Sequence, residues 1–70
     1  MKLGIVLNTN DPEEVWNCLR FGVTALKNKH IVKIFLLGKG VELEEMNGEK
    51  FNVKGQLAEF VENNGCILAC

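Results

Sequence analysis

Three short apolar runs alternate along the chain with two segments of helical periodicity, and this alternation limits the possible folds more than any other feature. The apolar runs cover residues 2–7, 31–37 and 66–70, each of strand length. The helical segments begin at Pro12 and after Asn52. Strands joined by helical crossovers run parallel. The pattern therefore predicts one α/β domain over residues 1–70, with the order β-α-β-α-β.

Local signals mark where both helices begin and where the second ends. Asp11 can accept hydrogen bonds from the first helical turn, and Pro12 suits the first helical position. Asn52 is placed to cap the second helix. Gly65 is expected to end that helix in a left-handed conformation. Between the second strand and second helix, the polar segment "VELEEMNGEK" predicts a mobile connection.

Strand order decides how much of the sheet the two helices can cover. An order of 2-1-3 places the helices on opposite faces, whereas an order of 1-2-3 leaves one face bare. Burial favours 2-1-3, the arrangement of a flavodoxin-like three-layer parallel sheet. Even then two edge strands stay unpaired. The chain is therefore expected to be the first part of a longer domain, or to have its edges filled by other subunits.

Composition narrows the class of protein. The chain has 70 residues, a formal net charge of −1 and three cysteines. An odd, sparse cysteine count does not fit a secreted disulfide framework, so a reducing, cytoplasmic location is expected. Lysines scattered among glutamates argue against a nucleic-acid partner. No signal peptide, membrane span or membrane-binding surface is predicted.

The cysteines differ in what their positions suggest. In a strand, Cys66 and Cys70 would lie roughly 13 Å apart, too far for a disulfide. Cys18 and Cys66 are expected to be small packed side chains. Cys70 is the last residue of the third apolar run. It therefore lies at the carboxyl end of a predicted strand, where open α/β sheets bind their ligands. In a 2-1-3 sheet, Asn8 and Asn10 would leave the first strand beside it.

Other candidate sites are weaker. Gly38-Lys39-Gly40 matches neither a Walker loop nor a dinucleotide-binding loop. The carboxylates of "DPEE" and "ELEE" are expected at a helix start and in a solvated connection. His30 has no companion ligands at metal-binding spacing and is expected at the surface. No metal or cofactor is therefore predicted.

Two longer stretches, "WNCLRFGVTALKNKHIVKIFLLGKGVE" and "QLAEFVENNGCILAC", resemble the DsrE/DsrF-like family of small sulfur-relay proteins. The resemblance implies a flavodoxin-like fold, assembly as trimers or hexamers, and protein donors and acceptors of sulfur. It also implies a sulfurtransferase or sulfur carrier that holds a persulfide on Cys70. Asn8 and Asn10 could donate side-chain hydrogen bonds to that sulfur or to a partner, and they are the candidate substrate-binding residues; the alternative role for both is turn and helix-cap chemistry. Family members continue beyond this strand, so a truncated family domain is expected.

A second class of function fits the same residues. In this alternative interpretation the chain is a non-catalytic, oligomeric α/β interaction module, assembled through its bare sheet edges and the flanking rings of Trp16 and Phe21. A small nucleotide-binding domain is a third interpretation, with little support from the glycine pattern.

Overall fold

The computed structural model describes residues 1–45 and 51–69. The elements follow one another as strand β1 (Lys2–Leu7), helix α1 (Pro12–Lys27), strand β2 (Ile31–Leu36), a 3₁₀ segment (Gly38–Glu45), helix α2 (Val53–Glu62) and strand β3 (Cys66–Ala69). All strand pairs are parallel. The mixed α/β class and the β-α-β-α-β succession are confirmed, with the 3₁₀ segment added.

The predicted strand order is wrong. The sheet has the order β1-β2-β3, not 2-1-3. Right-handed crossovers in this order bring both helices to one face, where α1 and α2 pack against each other. Burial of helices against the sheet favours 2-1-3, whereas contact between the two helices favours 1-2-3.

Phe60 shows why the helices share a face. Its ring is fully buried in α2 and points at α1, where a Cβ on Gly22 would lie only 2.8 Å from the ring. A Cβ on Gly65 would collide with the opposite edge of the same ring. The two glycines therefore leave a slot that a phenylalanine fills, and this contact requires both helices on the same side of the sheet.

The core lies between this helix layer and the sheet. Val32, Ile34 and Leu36 project into it from β2. Leu43 of the 3₁₀ segment is also fully buried. The interpretation of this connection as a mobile loop is therefore wrong for residues 41–45, while its Asn47-Gly48 turn lies outside the described residues.

Both helices begin as predicted. The Asp11 side chain accepts from the backbone N–H of Glu14 at 3.0 Å, and Asn52 accepts from Gly55 at 3.0 Å. Such caps satisfy backbone donors that have no partner inside the helix.

Both helices also end in the same motif. The residue after each cap has a positive φ, 68° at Lys29 and 73° at Asn64. The next N–H then reaches back to the helix, from His30 to Ala25 and from Gly65 to Phe60. This is the Schellman arrangement. The left-handed residue at the end of α2 is therefore Asn64. The sequence-based prediction of Gly65 in this role is wrong.

Candidate functional site

Among residues 1–45 and 51–69, the strand order leaves one face of the sheet without helices. Because side chains alternate along a strand, the face opposite the helices carries every second residue. The parallel register sets these residues in three rows across the sheet: Lys2 beside Ile31, then Gly4–Lys33–Cys66, then Val6–Phe35–Leu68. We call these eight residues the open face.

The last of these rows is a continuous apolar strip that crosses all three strands. Val6, Phe35 and Leu68 are 61%, 39% and 42% exposed. Large apolar side chains scattered singly on a surface are ordinary, but side chains in register on neighbouring strands form one patch. Ile31, at the other end of β2, is also exposed. We call Val6–Phe35–Leu68 the apolar row.

The remaining charge on the open face is positive. Its only charged members are Lys2 and Lys33, both exposed, because the three strands contain no acidic residue. The acidic residues occur in the helices and connections instead. The open face is therefore apolar and cationic.

A shallow depression of about 190 Å³ lies on the same face, toward the amino ends of the strands. Its walls include Lys2 and Lys33, together with Ile31 and Phe35. Gly4 forms part of the wall and provides no side chain, so it leaves room beside Lys33. Both lysines of the open face therefore line one depression next to the apolar row.

The predicted site at the carboxyl ends of the strands is only partly described. Asn8 and Asn10 follow β1 and are exposed, whereas Cys70 lies outside the described residues. Strand β2 separates β1 from β3, so their carboxyl ends are about 10 Å apart. The adjacency that placed Asn8 and Asn10 beside the end of β3 depended on the order 2-1-3, and it is lost with that order.

Neighbouring residues form the turn that leads into α1. Thr9 Oγ1 accepts from the Asp11 N–H at 3.1 Å and donates to Glu14 Oε2 at 2.9 Å. The helix cap is Asp11. Turn and cap hydrogen bonds thus come from Thr9 and Asp11, which leaves the roles of Asn8 and Asn10 as predictions.

The two described cysteines lie in different environments. Cys18 of α1 packs against the core and is half-buried, and this burial raises the pKa of its thiol. Cys66 is half-buried on the open face, next to Lys33 in the register. Both are free thiols. Cys18 thus packs against the core, whereas Cys66 lies on the side of the sheet away from the helix layer.

The two aromatic residues on α1 are covered to different extents. Trp16 is half-buried, with Phe51 at 5.2 Å between ring centroids and the Arg20 guanidinium 4.3 Å above its ring. Phe21 is 60% exposed. Of the two flanking rings, Phe21 is therefore the one left largely uncovered.

His30 is half-buried, not on the surface as predicted, and its Nδ1 has no hydrogen-bond partner among the described residues. Within residues 1–45 and 51–69, no cluster of three or more histidine, cysteine or acidic side chains could hold a metal ion. In the same residues, no helix is both long enough and apolar enough to cross a membrane.

Comparison of the chain with protein families, with curated proteins and with solved structures finds no match. The resemblance to DsrE/DsrF-like proteins stays a prediction that rests on the quoted motifs. The open face is a candidate site that was not predicted from the sequence, although Lys33 in the middle of an apolar strand is a signal that one side of β2 is not buried.

Proposed function

We propose that this chain is a protein-interaction module that associates through its open face. The apolar row Val6–Phe35–Leu68 is the observation that carries this proposal. Parallel sheets occur almost only with both faces covered, since each face is lined by apolar side chains. Here the chain's own helices cover one face.

Burial of the apolar row by a partner would contribute a modest free energy of association. Full burial of a valine, leucine or phenylalanine side chain stabilises by about 1.5–3 kcal/mol. The three side chains are already about half covered. Association through this row alone would therefore contribute about 2–4 kcal/mol. That amount suits a reversible contact, which needs polar interactions around it for affinity and specificity.

The test compares two exposed phenylalanines. Phe35 belongs to the apolar row, and Phe21 lies on α1. Self-association would be followed by sedimentation velocity at increasing protein concentration. Binding of an 18-residue amphipathic helical peptide with glutamine flanks would be followed by fluorescence anisotropy. Association that Phe35→Ser abolishes and Phe21→Ser leaves intact would support the proposal; association that is lost only in Phe21→Ser, or no association in either assay, would contradict it.

Sulfur carriage on Cys70 is a second candidate, supported by the quoted motifs and by the position of this residue in the sequence. The described part of β3 runs parallel to β2 and reaches Ala69, in register with Leu36, and Cys70 is the next residue in the sequence. In the proposed step, the Cys70 thiolate attacks the terminal sulfur of a donor persulfide. An S–S bond forms on Cys70, the donor leaves as a thiolate, and no external oxidant is needed.

Intact mass would test this second candidate. The protein in a Cys18→Ser, Cys66→Ser background would be incubated with a small-molecule persulfide and freed of excess reagent. A reducible gain of one sulfur atom that disappears when Cys70 is also replaced by serine would support sulfur carriage. An unchanged mass would leave the interaction module as the better account.

A further inference from the structure

The charge of the open face indicates which class of partner could bind there. Lys2 and Lys33 border one depression, and no acidic residue lies in any strand. A partner that covers the face must either supply carboxylates or bury ammonium groups without a counter-charge. Unpaired buried charges are strongly destabilising. The face therefore favours an acidic partner.

This charge pattern disfavours a second copy packed face to face. Two open faces would bring two lysines from each copy into one interface, and neither copy would offer an acidic strand residue. Like charges brought together across an interface cost several kcal/mol, which is how proteins reject wrong partners. The charge pattern therefore favours a surface other than a second open face.

The dimensions of the face fit one helix. Three strands span about 10 Å between the axes of the outer two, and an α-helix with its side chains is about 10–12 Å across. The helix layer on the other face shows that these strands accept helix packing. A single amphipathic helix could cover the apolar row with its apolar stripe. The polar flank of the same helix would then lie over the depression.

We propose that the open face binds an amphipathic helix of a separate polypeptide, with its apolar stripe on Val6–Phe35–Leu68 and an Asp or Glu of its flank in the depression between Lys2 and Lys33. This inference rests on the proposed interaction function and names its partner chemistry. Because Gly4 has no side chain, the Lys33 stem has space to lie toward β1 while its ammonium group meets the carboxylate.

The experiment uses two further 18-residue peptides with the same leucine stripe as the glutamine-flanked probe, one with glutamate flanks and one with lysine flanks. Binding to the full chain would be measured by fluorescence anisotropy at low and high salt. We expect the glutamate peptide to bind about tenfold tighter than the lysine peptide at low salt, with a smaller ratio at high salt. Lys33→Glu should reverse the preference. Lys54→Glu, an exposed site on α2, should leave it unchanged.

Each other outcome overturns the inference in a distinguishable way. Equal binding of all three peptides, lost in Phe35→Ser, would keep the interaction function and remove the acidic partner. Phe35-dependent self-association without peptide binding would make a second copy the occupant. Binding to phosphatidylglycerol vesicles without peptide binding would assign the face to an anionic membrane surface. No association dependent on Phe35 would remove the proposed function as well.

Discussion

Strand β2 contributes to two surfaces of opposite character. Val32, Ile34 and Leu36 are 1%, 0% and 3% exposed beneath the helices. On the opposite side, Ile31 and Phe35 are 53% and 39% exposed, with Lys33 between them. The same six residues thus complete a core on one face and leave an apolar, cationic surface on the other. Burial on the helix side stabilises the fold, whereas the open face has its apolar surface available for a partner.

The largest expected difference between the faces concerns two phenylalanines. Phe60→Ala should lower the free energy of unfolding by about 3–5 kcal/mol, because it empties the slot between Gly22 and Gly65. Phe35→Ala, on the open face, should cost about 1 kcal/mol or less. Urea unfolding followed by circular dichroism would measure both. Equal losses would mean that the open face is as tightly packed as the core.

A matched pair of glycines should respond with opposite signs. Gly22→Ala would place a Cβ 2.8 Å from a Phe60 ring that is fully buried, so we expect a loss of about 1–3 kcal/mol despite the better helix propensity of alanine. Gly4→Ala would meet Phe35 at an ordinary 3.8 Å. It should be neutral or stabilise by about 0.5–1 kcal/mol. Thermal unfolding of the two variants would show whether the signs differ as expected.

The helix layer can be stabilised without altering the open face. Lys29 adopts φ 68° at the end of α1, a conformation that costs a residue with a side chain about 1–2 kcal/mol. Lys29→Gly should therefore raise the free energy of unfolding by about 1 kcal/mol, and it should leave affinity for the glutamate-flanked peptide unchanged. A coupled change in affinity would show that the two faces are not independent.

The smallest predicted effect is the pH dependence that Cys18 gives to the free energy of unfolding. Burial raises the pKa of Cys18 above 9.0, so the unfolded chain loses this proton more easily than the folded one. The contribution of Cys18 to stability is thus fully present below pH 9.0 and declines as the pH rises through the folded-state pKa. Urea midpoints from pH 7 to pH 10 should fall less steeply in Cys18→Ala than in the parent. An identical slope in Cys18→Ala and in the parent protein would contradict the assignment.

Local rules predicted the elements well, because their causes lie within a few residues. The caps at Asp11 and Asn52 and the three strands follow from side chains next to the backbone that they affect. Strand order depends instead on a contact between residues 38 positions apart, Gly22 and Phe60. No periodicity in the sequence reports such a contact.

The other sequence-based predictions that the structure corrects also have specific physical causes. Leu43 is one apolar residue in a polar segment, yet it inserts fully into the core. At the end of α2, "NNG" contains two residue types that tolerate a left-handed conformation, and the first to follow the cap, Asn64, adopts it. The open face had a signal in the alternation of Ile31, Lys33 and Phe35 with buried neighbours, but the expected order 2-1-3 assigned a helix to each face.

The most direct test of the account is carbene footprinting of the full chain, with labelling resolved by residue through mass spectrometry. At protein concentrations where the chain is monomeric, Val6, Phe35 and Leu68 should label strongly, while Val32 and Ile34 should not. Saturating glutamate-flanked peptide should protect the first group. If Val6, Phe35 and Leu68 are already protected in the monomer, the face is not open and the account is contradicted.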